Sequence, residues 1–173
     1  MPRSVPRSGF KEAEIVPVPL LIGVLAVAGA AYLLGHTGGG PSVAPHALRP
    51  EDPQLLEAGA RIYAQNCAAC HGAKGEGQPN WRDRGPDDLL PAPPHDASGH
   101  TWHHPDEQLF AITKHGFAKV INQPGYRTAM PIYDGVLTDD EIVAALSWIK
   151  AQWPAKVRQQ HDEINAQYRQ SKG

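Results

Sequence analysis

A chain of 173 residues has room for one domain of ordinary size plus appendages, so a single small core is expected. Its 16 Lys and Arg against 18 Asp and Glu leave a formal charge of -2, which supplies no basic patch of the kind nucleic acid requires and excludes that class of partner. The two cysteines are too few for a disulfide framework, and a zinc ribbon would need a second pair.

The elements follow in chain order. Residues 1–14 carry Arg3, Arg7 and Lys11 and are expected on the cytoplasmic side. Ile15 to Gly35 is a run of 21 residues without a charge; as a helix it is about 31 Å long, enough to span a bilayer as a signal-anchor. The alternative is a cleaved signal peptide, with Ala26-Val27-Ala28 or Ala28-Gly29-Ala30 as small-residue cleavage sites. Three basic residues precede the run and only Arg49 lies in the fifteen residues after it, which places the bulk of the chain on the outer face. Residues 36–50, with Gly38-Gly39-Gly40-Pro41 and no hydrophobic period, are expected to form a flexible linker.

Glu51 to Asn66 reads as a helix, with Leu55, Leu56, Gly59, Ile62 and Tyr63 at 3 to 4 spacing and Asp52 or Pro53 at its start. It delivers Cys67-Ala68-Ala69-Cys70-His71. At this spacing two thiols can join the vinyl groups of a haem while the following imidazole ligates its iron. A bare C-x-x-C also serves as a redox dithiol or as half a zinc site, and the missing second cysteine pair removes the zinc reading.

Gln78 to His104 is rich in Pro, Asp and Gly and reads as a long ordered loop. His95, His100, His103 and His104 are concentrated there, a weak alternative metal site for copper or zinc; the plainer reading has them satisfying loop carbonyls or haem propionates. Pro105-Asp106-Glu107 starts a short helix that stops at Gly116, and Phe117 to Ala129 reads as a loop ending in Ala129-Met130-Pro131. Thr138 and Glu141 form a capping box for the next helix, with Ile142, Ala145, Leu146 and Ile149 on one stripe, ended or kinked at Trp153-Pro154. Beyond it Val157, His161, Ile164 and Tyr168 recur at spacings of 4, 3 and 4. Such a stripe lies against its own domain or docks another subunit.

A helix carrying Gly59 and Tyr63, then Cys67-Ala68-Ala69-Cys70-His71-Gly72, then Met130-Pro131 before a final helix, resembles class I mono-haem cytochrome c over about residues 50 to 153, here in a membrane-anchored form. The resemblance implies an all-α fold: a cytochrome c domain at 51–153 around one covalent haem c, a transmembrane helix at 15–35 before it and a helical extension at 154–173 after it. Cys67 and Cys70 would carry the thioethers. His71 and Met130 would be the axial ligands, Met130 lying 59 residues after His71 and Met1 being the only other methionine. A carbonyl of Pro91, Pro93 or Pro94 would accept the Nδ1 hydrogen of His71, Gly59 would mark a close crossing of the first and last helices, and Trp81 and Trp102 would pack on the haem or donate to a propionate, ordinary core packing being their other reading.

A His/Met pair leaves no open coordination position, so the implied function is one-electron transfer and not catalysis. The first reading is a carrier in the bacterial cytoplasmic membrane, its haem domain on the periplasmic face. Membrane-bound partners such as a quinol-oxidising complex or a terminal oxidase would exchange electrons with it. The second is a fixed subunit of a larger respiratory or photosynthetic complex, in contact through residues 154–173. A haem sensor, haem enzyme or copper-binding module ranks third.

Overall fold

The computed structural model describes residues 44–172, all helices, turns and loops with no strand among them. The expected cytoplasmic segment 1–14, the membrane helix 15–35 and linker residues 36–43 lie outside the described residues. Among the described residues no helix is long and apolar enough to cross a membrane.

Helix α1 spans Pro53–Asn66. Asp52 caps it, its carboxylate accepting from the backbone N–H of Gln54 and Leu55 at 3.1 Å each, which satisfies two of the donors that a helix start leaves open. One turn, α2 (Ala68–His71), follows directly. After the long loop and a 3-10 turn at Thr101–His103 comes α3 (Asp106–His115), with Asp106 and Glu107 in its first turn and Lys114 and His115 in its last, complementing the helix dipole. Pro105 holds the cap position and not the first turn. Phe117–Val120, read from sequence as loop, is a short helix, α4: Gly116, at φ +85°, breaks α3, and Val120 N and Ile121 N then donate to Gly116 O and Phe117 O at 3.3 and 3.1 Å, closing one new turn.

Helix α5 (Asp139–Ala151) starts at a complete capping box: Glu141 N donates to Thr138 Oγ1 and Thr138 N to Glu141 Oε2. It packs across α1. At the crossing a Cβ on Gly59 would fall inside the Ala144 carbonyl and 2.9 Å from Trp148 Cβ, so only glycine lets the two backbones meet there. Tyr63, Leu109, Phe110, Tyr133, Ile142, Val143, Leu146, Ile149 and Trp153 form the core around this crossing.

Helix α6 (Ala155–Gln170) turns away at Pro154 and packs on the 3-10 turn. Its inner face buries His161 and Asn165, with Val157, Ile164 and Tyr168 half-buried. Residues 44–50, part of the segment expected to be a flexible linker, are fastened down. Leu48 is buried, its N–H donates to Asp106 Oδ2 at 2.9 Å, Arg49 N donates to Ser147 Oγ at 2.9 Å, and the His46 ring stacks on Phe110 at 3.6 Å.

Candidate functional site

Cys67 ends α1, its N–H donating to Tyr63 O at 2.9 Å, and its own carbonyl then accepts from Cys70 N at 3.1 Å and His71 N at 2.9 Å. That single turn places residues i, i+3 and i+4, two thiols and an imidazole, along one helical face. Two tyrosines clamp it: Tyr63 OH donates to Gly72 O at 2.8 Å and Tyr133 OH to Asn66 O at 2.6 Å. After it the chain must pass close under the proline segment. Gly77 has φ +71°, and a Cβ there would lie 2.5 Å from Pro94 N, a position only glycine fills.

His71 is buried, and its Nδ1 lies 2.8 Å from Pro93 O. A carbonyl only accepts, so the proton sits on Nδ1 and Nε2 keeps its lone pair. Burial holds this imidazole below the usual histidine range, against the opposing pull of the Pro93 bond. Neutral, oriented and with a free Nε2, it is arranged as a metal ligand with its supporting hydrogen bond in place. Of the three prolines considered from sequence, Pro93 supplies the carbonyl. Cys67 and Cys70 form no disulfide with each other. Burial, then the neighbouring Cys70, pushes the Cys67 thiol up to about 11, the opposite of what a redox-active dithiol needs.

Met130 lines a cavity of about 730 Å³ together with Leu89, Phe117, Tyr126, Ile132 and Arg127. Cys67, Cys70 and His71 do not line it. The structure thus brings together the motif residues on one turn and sets the thioether on a separate, largely apolar cavity. Among the described residues two buried ring nitrogens lack a hydrogen-bond partner, Trp102 Nε1 and His115 Nδ1; His115 lines the cavity. Unsatisfied buried donors in a folded core call for a missing acceptor. The paired thiols and the fixed neutral imidazole on one turn suit haem c, and the orphaned indole N–H suits a propionate; the thioether of Met130 is not brought to them.

Trp81 is otherwise engaged, stacked on His100 at 5.3 Å with the Arg82 guanidinium 4.0 Å from its ring centroid. Of the four loop histidines, His95 stacks on His71 and bonds Thr101 Oγ1 at 2.9 Å, His104 Nδ1 meets Gln108 Oε1 at 3.2 Å, His103 lies against Trp102, and His100 sits edge-on to His104 at 5.6 Å. Among the described residues no three His, Cys, Asp or Glu side chains are grouped to hold a metal ion. Sequence reasoning missed Thr101, Tyr133 and the indole of Trp153, whose N–H donates to His95 O at 2.7 Å. Their only signal was their residue type, since their partners lie far away in sequence.

A family model described as cytochrome c oxidase, cbb3-type, subunit III matches residues 54–149, more than half of the chain. No curated protein and no solved structure matches it.

Proposed function

The chain belongs to that cytochrome c family and so carries covalently bound haem c; from that premise we propose that it is a membrane-anchored, one-electron cytochrome in which Cys67 and Cys70 hold the haem and His71 and Met130 are the two protein ligands to iron. The observation that carries the reading is the bond from His71 Nδ1 to Pro93 O at 2.8 Å, which leaves Nε2 as the free donor on the same helical face as both thiols. Haem, when bound, supplies a reversible one-electron change at its iron.

The protein's own residues do the rest. Pro93 fixes the tautomer of His71 and raises its basicity as a ligand. Met130 would offer a soft thioether, which favours the reduced metal. Trp102 Nε1 is available to a propionate. Were His71 and Met130 both to hold the iron, no position would be left for a substrate, which supports electron transfer over catalysis.

Residues 15–35 would anchor the domain on the periplasmic face of a bacterial cytoplasmic membrane, where it would exchange electrons with membrane-bound partners such as a quinol-oxidising complex or a terminal oxidase. The second reading, a fixed electron-transfer subunit, is favoured by the family description itself, which names a subunit of an oxidase. Extraction of the full chain in mild detergent separates the two: stoichiometric co-purification of other redox subunits supports the subunit, a lone cytochrome the carrier. The ligand assignment is tested by spectroscopy. The reduced wild type should refuse carbon monoxide and the oxidised form should show a sulfur-to-iron charge-transfer band, while Met130→Ala should lose that band and bind carbon monoxide. Carbon monoxide binding to the native reduced protein would overturn the His71/Met130 pair.

A further inference from the structure

The ring of His95 lies against that of His71, with centroids 3.9 Å apart and planes 22° from parallel. Both rings hang from the same stretch of backbone. His71 Nδ1 reaches Pro93 O directly at 2.8 Å, whereas His95 Nδ1 meets Thr101 Oγ1 at 2.9 Å and that hydroxyl donates onward to the next carbonyl, Pro94 O, at 3.4 Å. The main chain of His95 is held as well. Its N–H donates to Gly75 O at 2.7 Å and its carbonyl accepts from Trp153 Nε1 at 2.7 Å, while the Tyr63 ring meets it edge-on at 6.3 Å.

A loop histidine that merely satisfied a carbonyl would need one of these ties, not all of them. The arrangement answers a mechanical problem that the Pro93 bond leaves open. A ring held at Nε2 by a metal and at Nδ1 by one carbonyl can still rock about the line joining those points; a second flat ring against its face stops the rocking. We propose that His95 is a positioning residue for the axial imidazole: it fixes the plane of His71, keeps water from that face, and so holds the reduction potential up. The inference rests on the reading of His71 as an iron ligand. Solvent reaching a ligand favours the more highly charged oxidised state, so loss of the stacked ring lowers the potential.

The test uses the haem-loaded full chain in detergent, with the midpoint potential from redox titration and the g-values of the oxidised protein from electron paramagnetic resonance, which report the ring plane. His95→Ala should lower the potential and shift the g-values. His95→Phe, which restores a flat ring without the hydrogen bond, should bring both back toward the wild type. Thr101→Val, which cuts the tie to Pro94, should shift both in the direction of His95→Ala but less. A His95→Ala protein with wild-type potential and g-values, or a His95→Phe protein indistinguishable from it, would overturn the proposal. Should His95→Ala fail to assemble, Thr101→Val decides: a lowered potential supports the role and an unchanged one rejects it. The ligand assignment is read separately, since a wild type that is not low-spin rejects His71/Met130 before any variant is made.

Discussion

Asp106 is buried, and two other segments converge on it, residues 44–50 and α6. Its Oδ2 accepts from Leu48 N at 2.9 Å, its Oδ1 from Asn165 Nδ2 at 3.0 Å, and its own N–H donates to Asn165 Oδ1 at 2.8 Å. Asp106→Ala strands the Leu48 and Asn165 donors, and an orphaned buried group costs about 1–3 kcal/mol; the expected loss is about 3 kcal/mol, read from urea unfolding of the haem-loaded protein. Beside it, His161 Nε2 donates to His104 O at 3.0 Å while Nδ1 faces the Asn165 amide at 3.4 Å. Burial first, then Lys150, holds this imidazole below its ordinary 6.5, against Asp106 and Asp162, which raise it. The unfolded chain therefore takes up a proton that the folded chain refuses, and stability falls as the pH drops below about 6.5, levelling off below the native value. His161→Gln should show a shallower decline between pH 7.5 and 5.5 than the wild type; an equal slope would place the sensitivity elsewhere. None of this was legible in the sequence. The stripe containing His161 was visible, but Asp106 and Asn165 are 59 residues apart and neither carries a local pattern. Cys67 to His71 and Met130, by contrast, stand out as candidate ligands because chemistry fixes their spacing or their order.

At the level of elements, two positions set how tightly α1 and α5 are held. Gly59→Ala forces a methyl into the Ala144 carbonyl, and overpacking of this kind costs about 1–3 kcal/mol; chemical denaturation should show at least that, whereas a neutral result would mean that the helices separate without penalty. Thr138→Ala removes the acceptor for Glu141 N and should cost about 1 kcal/mol, measured the same way. Helices with local start signals, Asp52 for α1 and the Thr138-Glu141 box for α5, could be read directly from sequence. What was not legible were elements decided by tertiary contact. Residues 44–50 look like linker by composition but are captured by side chains from α3 and α5, and α4 is too short to show a period.

For the whole molecule, the C-terminal helix is part of the domain's structure. α6 supplies Asn165 and His161 to the start of α3, and its Asp162 meets the buried Lys150 of α5 at 2.6 Å. A chain ending at Trp153 would lose all three, and at about 3 kcal/mol in all it should melt lower by about 10 °C. A truncated protein melting with the wild type would instead make α6 a free arm, available for a partner.

The capture of Leu48 also fixes the point at which the chain enters the domain. The N–H groups of Leu48 and Arg49 are held by Asp106 of α3 and Ser147 of α5, and His46 is stacked on Phe110. A pull applied at this end is therefore borne by two helices at once and not by the backbone of α1 alone.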